Sequence, residues 1–383
     1  MTGTLSYNWI INKRTDLTWF ILSALSAYLL VFFYAGLGWD MVAIWFFWVA
    51  FIDSPHFFGT YTRTYFDKVE FQNRKKLLLG SLGWFVVGPF ILLICFLLYS
   101  AGFAGYEIPW TLLVGFFSVW AYWHVVRQHY GFLSLYKKKG KENSSLDYYI
   151  DAGLLYSGLM LPFVVFILKE RESRALAESI FNPVLNISLQ QIEPIVSAIV
   201  MTIVSGFALV YLLRQVQLYT QGVAVNVPKS LFLLAVVPLH VFVCYSDYAL
   251  QAGLLGFGAF VTIFHDFQYH AIVWFHHQNR YKSEPDAAKK YGLSTYIAKS
   301  LPTYIGCAVF MGVLFRLLGC TFEVHPGCVP FVMTSDVNLF GNINTDKLLL
   351  GILFGLAMHH YFIDQYIWKT SKDKRLVKDL KLN

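Results

Sequence analysis

The chain has 383 residues, of which 57% are hydrophobic and only 14% charged, with a mean hydropathy of +0.52. An average soluble domain is about 25% charged, so this composition excludes a water-soluble protein and points to a polytopic membrane protein. The net charge of +7 calls for no nucleic acid, because Lys137-Lys138-Lys139 and the basic residues after Trp368 lie just beyond apolar runs, where such residues set topology and touch the headgroups of membrane lipids.

Residues 1–16 form an N-terminal arm that includes Lys13, Arg14 and Asp16. The apolar run after it is long enough to remain in the membrane, so no cleavable signal is expected. Runs near the roughly 20 residues that cross a bilayer as a helix follow at 17–36, 40–59, 77–103, 109–135, 147–168, 193–219, 229–249, 252–279, 297–319 and 346–368. The expected fold is all-α, a polytopic transmembrane helix bundle of about ten spans. It forms a single integral membrane domain over 1–383, ending in a basic cytoplasmic tail at 369–383. If the N-terminus is cytoplasmic, the inner loops hold 23 Lys and Arg and the outer loops three. That is the positive-inside pattern, and it puts both termini in the cytoplasm. A multi-pass protein of a bacterial inner membrane, or of the endoplasmic reticulum in a eukaryote, fits these features.

Polar residues interrupt the spans at few places. Span two carries Asp53-Ser54-Pro55-His56, where proline kinks a helix and frees a carbonyl. Span four carries His124, Arg127, Gln128 and His129. In span seven, His240 stands alone beside Pro238 and reads as a hydrogen-bonded core residue, while Cys95, Cys244 and Cys307 read as small core residues. Span eight opens on Gly253, Gly256 and Gly258, which allow close helix packing, and then carries His265, Asp266, His270, His276 and His277. Cys320 and Cys328 fall in the expected outer loop, where an oxidising compartment permits a disulfide; with His325 between them, their spacing is irregular for zinc. Span ten carries His359, His360 and Asp364.

Nine of the eleven histidines thus lie in spans two, four, eight and ten, at ends that the loop charges assign to one side. Ionisable groups at membrane depth are costly and mark function. The candidate metal ligands are His56, His124, His129, His265, His270, His276, His277, His359, His360 and Asp53. Residues three or four apart share a helix face, so Asp53 adjoins His56, Asp266 adjoins His270, and Asp364 adjoins His360. A carboxylate so placed binds metal or holds the second ring N–H of a ligating histidine.

His265 and His270 point apart and compete for one ion; His276 and His277, nearer the interface, either ligate or touch headgroups. The expected inner ligands are His56, His124, His270 and His360. Asp266, Asp364 and Arg127 are the candidate catalytic residues. Arg127 either grips a substrate carboxylate or phosphate or pairs with Asp266 or Asp364.

Imidazole and carboxylate without thiolate favour non-haem iron, as one or two ions. The expectation is a membrane-embedded oxidoreductase or oxygenase acting on a hydrophobic lipid or isoprenoid substrate, with an electron donor as partner. Two alternatives stand beside it: a b-type haem electron-transfer protein using His124 and His270, and a proton- or ion-coupled transporter.

The order of Pro55-His56, Trp123-His124, His265 with His270, and His359-His360 resembles that of the Brp/Blh family of membrane β-carotene dioxygenases. The resemblance covers these four blocks and implies a non-haem iron held through His56, His124, one or both of His265 and His270, and His359 or His360. The chain has Phe57-Phe58 after Pro55-His56 where the family has Gly-Ala. Membrane desaturases and hydroxylases place their metals similarly, but of their histidine boxes only the doublets His276-His277 and His359-His360 occur here.

Overall fold

A computed structural model of the chain describes residues 3–185, 188–282, 284–321 and 337–382. Almost all of the ordered backbone is helical. Among the described residues, seven helices are long and apolar enough to cross a membrane: Lys13–Gly36, Met41–Arg63, Lys68–Ser100, Ser145–Lys169, Leu189–Thr220, Val227–Tyr245 and Thr345–Ile367. Helices Ile108–Lys139, Gly253–Tyr281 and Leu301–Thr321 cover the residues of the other three expected spans but are not among these seven. In the first two, histidine, arginine and glutamine dilute the apolar sequence. Side-chain caps start many of these helices: Asn12, Asp67, Ser144, Asn226 and Asn344 each accept an N–H from the first turn, where such donors have no helical partner. The described strands are two short pairs, Leu5–Ser6 parallel to Val225–Asn226 and Asn338–Phe340 antiparallel to Ile343–Asn344. Cys328 and His325 lie outside the described residues, as does the side chain of Cys320, so the expected disulfide lies outside them too.

The chain packs into two compact units, one of Met1–Met41, Trp123–Gln268 and Leu382–Asn383, the other of Val42–Tyr122 and Tyr269–Lys381. In the first, Ser145–Lys169 packs against both Leu189–Thr220 and Val227–Tyr245. Leu189–Thr220 leaves Ile195, Ile199, Leu209, Leu212, Leu213 and Val216 exposed, an apolar surface that suits lipid tails. Where these helices end, buried Lys229 reaches Asp151 (3.1 Å) and Glu142 (2.6 Å), and Lys137 also bonds Asp151. The N-terminal arm is tied down by buried Asp16, whose carboxylate accepts the amide N–H groups of Ile10, Ile11 and Asn12.

In the second unit, Trp84–Ser100 packs along Thr345–Ile367, and the crossing depends on glycine. A Cβ on Gly88 would lie 2.4 Å from Gly351 Cα, whereas one on Gly351 would lie 3.1 Å from Gly88 Cα. Gly88→Ala is therefore expected to destabilise by about 1–3 kcal/mol, the usual overpacking penalty, and Gly351→Ala by less. Thermal unfolding of the purified variants checks the order, and equal losses would refute it. Ahead of Pro55, residues Val49–Asp53 form a π-helical turn, so the expected kink in this span takes that form, a distortion frequent at functional sites.

Candidate metal centre

Within the second unit, helical spacing aligns His56, Thr60 and Arg63 on one face of Ser54–Arg63, and His360, Asp364 and Ile367 on one face of Thr345–Ile367. These faces meet in three steps. His56 Nε2 lies 3.1 Å from His360 Nε2, Thr60 Oγ1 lies 2.8 Å from Asp364 Oδ1, and Arg63 Nη2 donates to the Ile367 carbonyl at 2.5 Å. The histidines and Thr60 are buried to 2% exposure or less.

The surrounding hydrogen bonds assign the ring protons. Thr60 donates to Asp364, so its oxygen accepts from His360 Nδ1–H at 2.8 Å. That makes His360 Nε2 the acceptor nitrogen of its ring. Asp53 Oδ1 lies 3.7 Å from His56 Nδ1, beyond hydrogen-bond reach, and leaves the His56 tautomer open. At 3.1 Å the two Nε2 atoms share either a proton on His56 or, with His56 protonated at Nδ1 instead, a cation. Nitrogens that are each about 2.0–2.1 Å from one ion lie about 3 Å apart at ordinary ligand angles, so the pair fits a metal.

Asp364 stands beside His360. Thr60 and Tyr269 (3.0 Å) hold its Oδ1, while its Oδ2 lies 3.9 Å from His360 Nε2. Tyr269 reaches this position because its ring passes over Gly59, where an added Cβ would lie 2.8 Å from the ring. The Phe57 ring, 4.6 Å from that of His360, covers the site.

The doublet His359-His360 divides its work. The Tyr65 hydroxyl donates to the Leu78 carbonyl and so accepts from His359 Nε2–H at 2.8 Å, and Tyr61 and Phe85 pack on the same ring. His359 is thus a packed hydrogen-bond donor. His270 Nδ1 pairs with Tyr304 Oη at 3.0 Å. His276 and His277 are buried, not spread at a headgroup surface: His276 Nε2 lies 3.5 Å from Asp379, and His277 Nε2 lies 3.3 Å from Thr62, whose own proton goes to the Gly59 carbonyl. Their sequence position near a helix end hid the tail helix Lys374–Asp379, which brings Asp379 to His276.

In the first unit, the His124 and His265 rings lie 5.0 Å apart, and Gln128 donates to the His265 carbonyl at 2.7 Å. Asp266 is fully buried. His129 turns to the other side of its helix and meets His240, ring centres 5.4 Å apart, between Phe232 and Phe264; His240 is therefore half of a buried histidine pair and does not stand alone. Arg127 does not pair with Asp266. It is exposed, donates to Tyr156 and lies over Tyr130 at 4.8 Å.

The hydroxyls of Thr60, Thr62, Tyr65, Tyr269 and Tyr304, which orient the histidines, carried no signal as residue types. Only Thr60, four residues after His56, was readable from helical spacing. No family model, curated protein or solved structure matches the chain.

Proposed function

We propose that this membrane protein is a non-haem iron oxidoreductase whose ion is held by His56, His360 and Asp364. The observation that carries the reading is the pair of Nε2 atoms facing each other at 3.1 Å, with Thr60 on the other ring nitrogen of His360 and Asp53 3.7 Å from that of His56. Two histidines and a carboxylate with open positions form the donor set of non-haem Fe(II) oxygenases. Iron bound there would supply oxygen chemistry to a lipid or isoprenoid chain, which reaches the site from the membrane.

The protein's own residues do the rest. Thr60 passes the Asp364 charge to the His360 ring and holds its tautomer, as supporting partners of metal ligands do. Tyr269 keeps Asp364 Oδ1 occupied so that Oδ2 turns to the ion. Phe57 excludes water. The same reading takes ten spans with both termini cytoplasmic, supported by the 23-to-three division of basic residues; of the four blocks through which the Brp/Blh resemblance implies ligation it uses the first and the last, His56 and His360, and not His124 or His265 and His270.

Metal analysis with an optical spectrum tests the reading. About one iron per chain without a Soret band is expected. A Soret band would replace it with a haem protein, and purified, folded protein that takes up no metal would end it.

A further inference from the structure

Where Ser54–Arg63 ends, the second unit holds a cluster of four arginines and four carboxylates: Arg63, Arg74, Arg280 and Arg375 with Asp67, Glu70, Asp373 and Asp379. The carboxylates are all taken. Asp67 accepts from Arg280 (2.8 Å) and Tyr281 (3.0 Å), Glu70 from Arg74, Asp373 from Arg74 (2.8 Å) and from two amides of the helix it caps, and Asp379 from Arg280 (3.0 Å). Burial opposes ionisation of Asp379, but His276 and Arg280 outweigh it and hold its carboxyl below the usual range. Burial likewise opposes ionisation of Asp373, and the Leu376 amide with Arg375 and Arg74 outweighs it.

Arg63 is left out of this pairing. It is 3% exposed, stacks on Trp368 at 3.9 Å and has one hydrogen bond, to the Ile367 carbonyl. Its Nε and Nη1 have no hydrogen-bond partner, and the same holds for Arg280 Nη2 and His276 Nδ1. These three side chains and the carboxylates of Glu70, Asp373 and Asp379 line one cavity that is closed to a water-sized molecule in this structure. A buried guanidinium with idle donors is costly, and Arg forks match phosphate oxygens. The three idle guanidinium donors, Arg63 Nε and Nη1 and Arg280 Nη2, suit the three terminal oxygens of a phosphate group, and His276, whose Nε2 faces Asp379 at 3.5 Å, adds a fourth when its Nδ1 is also protonated. Arg375, whose side chain is 48% exposed and lies 3.8 Å from Glu70, forms the outer wall, the side from which a ligand has to enter.

We infer that Arg63, Arg280 and His276 form a binding site for a phosphate-type oxyanion, either a free phosphate or the headgroup of an anionic phospholipid. The site is separate from the His56/His360 pair and does not depend on metal there.

The test uses the full chain purified in detergent. Sodium phosphate, against chloride at equal ionic strength, and nanodiscs of phosphatidylglycerol, against phosphatidylcholine, are compared by thermal unfolding and by native mass spectrometry. Wild type is expected to gain several degrees from at least one source. A response to inorganic phosphate assigns a free ligand, and a response to phosphatidylglycerol alone assigns a headgroup.

In Arg63→Gln the response should fall at least tenfold in apparent affinity, while ligand-free stability stays level or rises, because an under-bonded buried charge is gone. His276→Gln, which leaves the Arg63 packing intact, should also weaken the response and serves if Arg63→Gln does not fold. No response in wild type, or a wild-type response in the variants that fold, would overturn the site.

Discussion

Alanine at either His56 or His360 is expected to abolish stoichiometric metal binding. Each ring presents Nε2 to the other at 3.1 Å from a site closed to solvent, so the loss of one leaves a single imidazole and a carboxylate to hold the ion. Affinity should fall by more than the 10–100-fold typical of removing a supporting partner. Asp364→Asn separates the roles further. Asparagine keeps the shape and accepts from Thr60 and Tyr269 but removes the charge beside His360. If Oδ2 ligates, the loss should approach that of the histidine variants; if Asp364 only orients His360 through Thr60, about 10–100-fold should remain the limit. His359→Ala is the internal control, because its Nε2–H is committed to Tyr65. Titration of Fe(II) into apo protein reads all four variants, and retained affinity in both His56→Ala and His360→Ala would sink the proposed centre.

Asp151→Ala should produce the largest loss of stability in the first unit. Asp151 is 1% exposed and bonds both Lys137 and Lys229, the latter also buried. Its removal leaves two ammonium groups with Glu142 alone, which lies 2.6 Å from Lys229 and 4.0 Å from Lys137. Breaking one side of a buried ion pair costs about 3–5 kcal/mol, chiefly through the charge left behind. Removing both sides should cost less, so the double variant Asp151→Leu/Lys229→Met is expected to be more stable than Asp151→Ala. Thermal or denaturant unfolding of the purified proteins measures the difference. A double variant weaker than the single one would mean that the network stabilises by its own hydrogen bonds.

Composition alone determined that this is a membrane protein of helices, because apolar runs of bilayer length have few other stable forms. Helical spacing determined which residues share a face, and it joined Asp53 to His56 and His360 to Asp364 before any fold was known; both pairs stand at ion-pair distance. Tertiary structure alone decided between neighbours. His359 and His360 are adjacent and chemically identical, and nothing local tells which one meets His56, 304 residues away, and which one meets Tyr65. Arg63 and Arg127 present the same ambiguity. Each is an arginine among aromatic residues, yet Arg127 reaches an exposed tyrosine contact while Arg63 is buried with idle donors. A histidine or arginine takes its role from the donor or acceptor facing it, and in a bundle that partner comes from another helix. Periodicity within one helix fixes direction around its own axis and carries no information about which helix lies across from it.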